Sequence, residues 1–223
     1  MMNHANFSAL AVEQDDRPAH HIAIIGLMGA GKSTLADALS ESLGWPHRDS
    51  DADVEAIEGI CGAELAERDG VARLHEIEEQ ALLEALESAE PVVVSAAGWV
   101  VESAICRRRL VERAFVVWID LDVASLLERM KGGPHRRPMG ESEVRELAAR
   151  REPLFREVAD IRLDGRKLTW ELLQELTDVL MRSPLTVAGV RDEKPGPKTG
   201  AVETLVTDVR AGAREPTEPI DRR

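Results

Sequence analysis

The sequence predicts an α/β fold: a five-stranded parallel sheet flanked by helices, with disordered tails at both ends. Three observations lead there. Short apolar runs alternate with longer segments of helical period between residues 21 and 182, which is the pattern of strand–helix–strand crossovers. The runs at 22–25, 92–94 and 115–119 are apolar at successive positions rather than alternating, as strands buried on both faces are. A glycine-rich turn joins the first run directly to a helix, so the chain reverses as a crossover requires.

Taken in order, residues 1–20 are polar and aperiodic and are expected to be disordered. His4, His20 and His21 have no partner at metal-ligand spacing and read as solvated. The strand at 22–25 is followed by a helix with Leu35, Ala38, Leu39 and Leu43 on one stripe and Gly44 as its stop. A short second strand at 46–48 delivers Asp49-Ser50-Asp51 to its C-terminal end. Helical segments at 53–59 and 63–68 lead to a longer one over 71–88, with Leu74, Ile77, Ala81, Leu82 and Leu86 facing the core. Pro91 opens the third strand, a helix spans 102–113, the fourth strand follows at 115–119, and 122–131 is helical. Gly132-Gly133-Pro134-His135-Arg136-Arg137-Pro138-Met139-Gly140 cannot be regular and reads as a mobile loop. Helix resumes over 141–159, where Pro153 is expected to kink it or start a new segment. A fifth strand at 161–163 and a helix at 169–181 complete a domain of residues 21–182. The Pro- and Gly-rich remainder, 183–223, reads as a mostly disordered tail in which only 202–209 is apolar enough to dock.

Composition narrows the function. The formal net charge is −13, and with −2 on residues 1–20 and balanced charges on 184–223, −11 lies on the middle. Such a body does not suit nucleic acid, which needs a basic face. Its arginines are bunched at 107–109, 136–137 and 150–151, which fits a small anionic ligand. Cys61 and Cys106 form neither a disulfide framework nor a metal cluster. No run approaches 18 apolar residues, and the N-terminus lacks the layout of a secretory signal. A cytoplasmic monomer with no membrane partner is the expectation.

The chemistry centres on Gly26-Leu27-Met28-Gly29-Ala30-Gly31-Lys32-Ser33-Thr34, which reads G-x-x-x-x-G-K-S. This is the P-loop pattern, here between a buried strand and a helix as its mechanism demands. Backbone N–H groups of Gly29, Ala30, Gly31, Lys32, Ser33 and Thr34 can cradle phosphates at the helix N-terminus. Lys32 reaches the β- and γ-phosphates, and the Ser33 hydroxyl is placed to ligate Mg²⁺. The chain therefore binds a nucleoside triphosphate, and ATP with Mg²⁺ is the expected pair.

The order of motifs over residues 21–182 resembles shikimate kinase, a relative of the nucleoside monophosphate kinases. Asp49-Ser50-Asp51 followed by Val54-Glu55 is similar to the family's D-[ST]-D-x-x-[IV]-E segment. That resemblance implies that Asp49 holds Mg²⁺ through water and that Asp51 binds and orients the acceptor hydroxyl, although Asp51 or Asp53 could instead cap a helix. Arg137-Pro138-Met139 is similar to the R-P-L lid signature, which implies that Arg137 meets the transferring phosphoryl, with Arg136 as a neighbouring rival. Arg150-Arg151-Glu152-Pro153-Leu154-Phe155 resembles R-x-P-L-[YF], which makes Arg151 the grip on the acceptor carboxylate, while Arg150 has Glu146 one turn back as an ion-pair partner. By the same likeness, adenine contacts fall near Arg129 and Asp164-Gly165-Arg166-Lys167.

Two departures fall in the acceptor pocket. The family's F-R-x-x-E becomes Leu74-His75-Glu76-Ile77-Glu78, so His75 stands where a second arginine would grip the carboxylate. Its Gly-Gly-Gly becomes Ala97-Gly98-Trp99, keeping the middle glycine, whose N–H approaches substrate in the family. Trp99 either walls the pocket or turns into the core. Loss of one bidentate charged contact costs about 2–5 kcal/mol, so affinity for shikimate should fall more than tenfold. The resemblance implies an ATP-dependent kinase of shikimate or a related carboxylated polyol, in aromatic amino acid biosynthesis. A kinase of another small acceptor, or a nucleotide-binding module without phosphotransfer, are the alternatives.

Overall fold

A computed structural model of the chain describes residues 21–130 and 140–182. The chain divides into two compact units, Met1–Val190 and Arg191–Arg223, and every described residue belongs to the first. The expected disorder at 1–20 and 183–223, and all of the 132–140 loop except Gly140, lie outside the described residues.

Five strands form one parallel sheet: β1 (His21–Ile25), β2 (His47–Asp49), β3 (Val93–Ser95), β4 (Ala114–Asp120) and β5 (Ile161–Asp164). Their order is β2-β3-β1-β4-β5, and every pair is parallel. The helices are α1 (Lys32–Leu43), α2 (Ser50–Glu58), α3 (Gly62–Asp69), α4 (Val71–Leu86), α5 (Ala104–Arg113), α6 (Val123–Met130), α7 (Glu141–Val158) and α8 (Thr169–Arg182). Strand alternation sorts β1 between two cores. Ala23 and Ile25 join a cluster with Leu82, Leu110 and Phe155, while Ile22 and Ile24 join one with Leu35, Leu39 and Leu176. A central strand with helices on both faces must be apolar on both, which is why its run showed no alternation. No helix among the described residues is long and apolar enough to cross a membrane.

The structure corrects several expectations. His21 is not solvated; it is completely buried. Its Nδ1 accepts the Val92 N–H and its Nε2 donates to the Leu86 carbonyl, so it satisfies the end of α4 and the approach to β3. The expected helix at 102–113 begins instead at Ala104, capped by Ser103, after a 3₁₀ turn at Val100–Glu102. Helix α7 continues through Pro153. A proline inside a helix forfeits one backbone bond, and burial of Val144, Phe155 and Val158 on the same helix offsets it.

The strand order places the P-loop at the middle of the sheet, with β3 on one side of β1 and β4 on the other. Ligands in open α/β sheets bind beyond the C-terminal strand ends where the order reverses. Asp49, Ser95 and Asp120 end three of the strands at that edge.

Candidate active site

The P-loop leaves β1 at Gly26. A Cβ on Gly26 would lie 2.6 Å from the Ile119 carbonyl oxygen, so the loop's start is pressed against β4 where only glycine fits. Gly31, in the left-handed region, is the N-cap of α1 and uses no side chain for the purpose. The first N–H groups of α1 therefore stay available to an anion. Lys32 Nζ donates to the Leu27 carbonyl at 3.2 Å, folding the side chain back over the loop. Arg129 braces the outside: Nη1 donates to the Ala30 carbonyl at 3.2 Å and Nη2 to the Gly165 carbonyl at 2.7 Å. The two regions expected to contact adenine thus meet beside the phosphate loop, although Arg166 is engaged by Asp164 and Lys167 by Glu175.

Asp49 is the crossroads of the site. Neither Asp51 nor Asp53 caps α2; Asp49 does, accepting from the N–H groups of Asp51 and Ala52. Its Oδ2 also accepts the Ser95 hydroxyl at 2.5 Å. That contact follows from strand pairing, since Asp49 and Ser95 are register partners across β2 and β3. Burial works against its charge, but hydrogen bonds from Ser33, Ser95, Ala52 and Asp51 outweigh burial and hold the carboxyl below its ordinary pKa. Asp49 is therefore an anion that interacts with the P-loop serine. This fits Mg²⁺, a hard cation that takes one or two protein oxygens and completes its shell with phosphate and water. Behind Ser95, His47 reaches the serine hydroxyl at 3.1 Å and Asp37 at 2.7 Å. Neither Ser95 nor His47 carries a motif that marks it in the sequence; only the strand order reveals them.

Asp51 sits in the first turn of α2 and is exposed, while Asp53 pairs with Arg48 at 3.0 Å. Asp51 and Lys32 both act electrostatically on Glu78. Arg151 projects from α7 toward them. A Cβ on Gly98 would lie 3.5 Å from Arg151 Nη1 and 3.0 Å from the Gly26 carbonyl, so the middle glycine keeps this corner open. Arg150 does not pair with Glu146 on its own helix. Both arginines turn to Glu102, Arg151 through Nε at 2.6 Å and Arg150 through Nη2 at 3.1 Å. Burial opposes charge on Glu102, and these two arginines overcome it, lowering its pKa. Held at Nε, Arg151 keeps its outer nitrogens for an incoming anion.

The altered positions also converge. Trp99 does not turn into the core alone: its ring stacks on His75 with centroids 4.0 Å apart and planes 15° from parallel. Ala97 packs within the hydrophobic core. Burial first, and Arg151 second, push the His75 pKa below its usual value against a weaker pull from Glu102. His75 is thus mostly neutral near pH 7 and does not replace a guanidinium. Glu78, one turn along α4, is buried; that burial and then Asp51 push its pKa up to about 8, against Trp99, Arg151 and Lys32. Arg137 and Arg136 lie outside the described residues.

The model of one family, shikimate kinase, matches residues 28–181. A shikimate kinase of Rhodococcus erythropolis is 33% identical over 164 residues, covering 70% of this chain and 96% of the relative. Among solved structures, shikimate kinase from Acinetobacter baumannii in complex with shikimate superimposes with a TM-score of 0.69 at 27% identity, over 76% of this chain and 97% of that one. A deoxyadenosine kinase from M. mycoides, at 17% identity over 73% and 98% of the two chains, shares the fold alone, with a TM-score of 0.53. A P-loop with Asp49 beside it, and with Asp51 and Arg151 nearby, gives these likenesses a chemical footing, and the chain belongs to the shikimate kinase family.

Proposed function

We propose that the protein transfers the γ-phosphoryl of ATP to a hydroxyl of shikimate or a related carboxylated polyol. The observation that carries this reading is Asp49, held as an anion beside the P-loop serine by Ser95 and the first N–H groups of α2, with Asp51 two residues on and Arg151 next to Gly98. In this reading residues 21–182 are the kinase domain, which the family match over 28–181 supports. The enzyme is assigned to the cytoplasm as a monomer without nucleic-acid or membrane partners.

Ser33 and Asp49 would hold Mg²⁺, which would neutralise phosphate charge. Gly29, Ala30, Gly31, Lys32, Ser33 and Thr34 hold the triphosphate, with Lys32 offsetting charge as the phosphoryl leaves. Arg151 fixes the acceptor by its carboxylate, with Gly98 giving close backbone approach and His75 forming part of the wall. Asp51 accepts a hydrogen bond from the acceptor hydroxyl, aims it in line and takes its proton as the new P–O bond forms. Arg137 is assigned by its R-P-M motif to the transferring phosphoryl.

The test is ADP release in a coupled assay with shikimate, ATP and Mg²⁺, checked by the ³¹P signal of the product. No ADP with shikimate or any polyol acid would overturn the proposal. The neutral His75–Trp99 stack in place of a second cation favours one further reading, a kinase whose acceptor is not shikimate itself; ADP release with other polyol acids and none with shikimate identifies it.

A further inference from the structure

His75 stands where a second arginine was expected, and it is mostly neutral. Beside the arginine that remains, the chain sets a carboxylate of its own. Glu102 lies 49 positions before Arg151 and accepts its Nε–H at 2.6 Å. The backbone of Glu102 is fixed on both sides. Its N–H donates to the Trp99 carbonyl at 2.7 Å, and Arg107 Nη1 donates to the carbonyls of Val101 at 2.7 Å and Glu102 at 3.2 Å. The group that holds Arg151 therefore stands on a well-anchored turn.

A guanidinium carries five N–H donors in a fixed plane. Glu102 takes Nε, and among the described residues Nη1 and Nη2 of Arg151 form no hydrogen bond. Those two nitrogens make the end-on fork that a carboxylate fills with parallel bonds. Nη1 lies beside Gly98, where a Cβ would come within 3.5 Å of it, so the free edge meets the corner that this glycine keeps open. An arginine free in solvent loses side-chain freedom when it grips a ligand, whereas one already fixed does not lose it again. Glu102 itself repels an incoming carboxylate, and Arg150 offsets that by pairing with the same oxygen at 3.1 Å. Two guanidinium cations and one carboxylate leave one net positive charge beside the pocket.

We propose that Glu102 is a positioning residue: it fixes Arg151 through Nε, so that Nη1 and Nη2 form a pre-aimed fork for the acceptor's carboxylate, and thereby recovers part of the grip lost at position 75. The inference rests on the kinase reading above and adds to it a residue that acts through Arg151 without touching substrate.

The experiment measures shikimate turnover, and calorimetric binding of shikimate with Mg²⁺ and ADP present, for wild type, Glu102→Ala and Glu102→Gln. Both substitutions remove the negative charge, but Gln keeps an oxygen for Nε and Ala does not. We expect Glu102→Ala to raise KM and Kd for shikimate about three- to tenfold, with kcat and KM for ATP within about twofold of wild type. Glu102→Gln should restore both acceptor constants to within about twofold. A double-mutant cycle separates aim from fold: in an Arg151→Lys background, Glu102→Ala should add less than about a twofold loss, because Lys has no fork to aim. Losses that multiply in full in the cycle, a loss by Gln as large as that by Ala, or unchanged or tighter shikimate binding by Ala overturn the assignment and leave the kinase reading standing. Absence of both turnover and binding in wild type, across shikimate and other polyol acids, overturns the kinase reading and the assignment together.

Discussion

Replacing Glu78 by Gln removes one ionisable group from the acceptor pocket and nearly preserves its shape, so the change in stability reads the cost of burying that group. An unfolded glutamate titrates near 4.5, whereas folded Glu78 keeps its proton to about 8. Between these values the folded protein binds more protons than the unfolded chain. Stability is therefore complete below pH 4.5, falls as pH rises through the window, and reaches its floor above about 8. At about 1.4 kcal/mol per pH unit, a window of about 3.5 units sets a ceiling of about 5 kcal/mol. Water entry and side-chain rearrangement lower that figure once the charge appears. We expect Glu78→Gln to be more stable than wild type by roughly 2–3 kcal/mol at pH 9 and within about 1 kcal/mol of it at pH 5. Other groups titrate in the same range, including His75 below its usual value, and they cancel in the difference. The assay is urea unfolding of both proteins from pH 5 to 9, with equal m-values as the check on two-state behaviour. Equal stability at pH 9, or a variant weaker at every pH, would refute the reasoning.

Asp51→Asn should cut kcat by about 100-fold or more while leaving the dissociation constant for ATP within about twofold, measured by steady-state kinetics and nucleotide titration. Arg151→Lys keeps the charge and loses the fork, so KM for the acceptor should rise more than about tenfold with KM for ATP unchanged. Ser95→Ala removes a donor from Asp49; the Mg²⁺ concentration for half-maximal rate should rise about three- to tenfold, and a shift in acceptor KM alone would contradict its assignment. His21→Leu leaves the Val92 N–H and the Leu86 carbonyl without their partner, and should cost about 2–4 kcal/mol in urea unfolding without altering KM for either substrate.

Much of this molecule is legible from residue order because the relevant signals are local. The P-loop is contiguous, Asp49 and Asp51 are two residues apart, and β1 and β4 are apolar runs that need no partner to be recognised. What escaped is non-local. Ser95 reaches Asp49 because β2 lies against β3 in one register, and nothing near residue 95 reports that. Glu102 meets Arg151 across 49 positions, whereas the local rule offers Arg150 the wrong partner in Glu146. His21 follows a polar segment and looks solvated, but opening a central strand buries it. Glu78 was readable in part: it lies four residues after Leu74 and three before Ala81, on the apolar stripe of α4. A carboxyl group on such a stripe signals either a buried ion pair or a ligand-facing group.

The three-residue edge strand β2 has one further consequence. Its last residue must stand opposite Ser95; a slip by one position would face Asp49 with Val94 or Ala96, neither of which has a hydroxyl. Correct alignment at the sheet's margin and competence to hold magnesium are then a single event. Loaded nucleotide should fasten this margin against fraying by mass action, and misaligned molecules should be silent rather than sluggish.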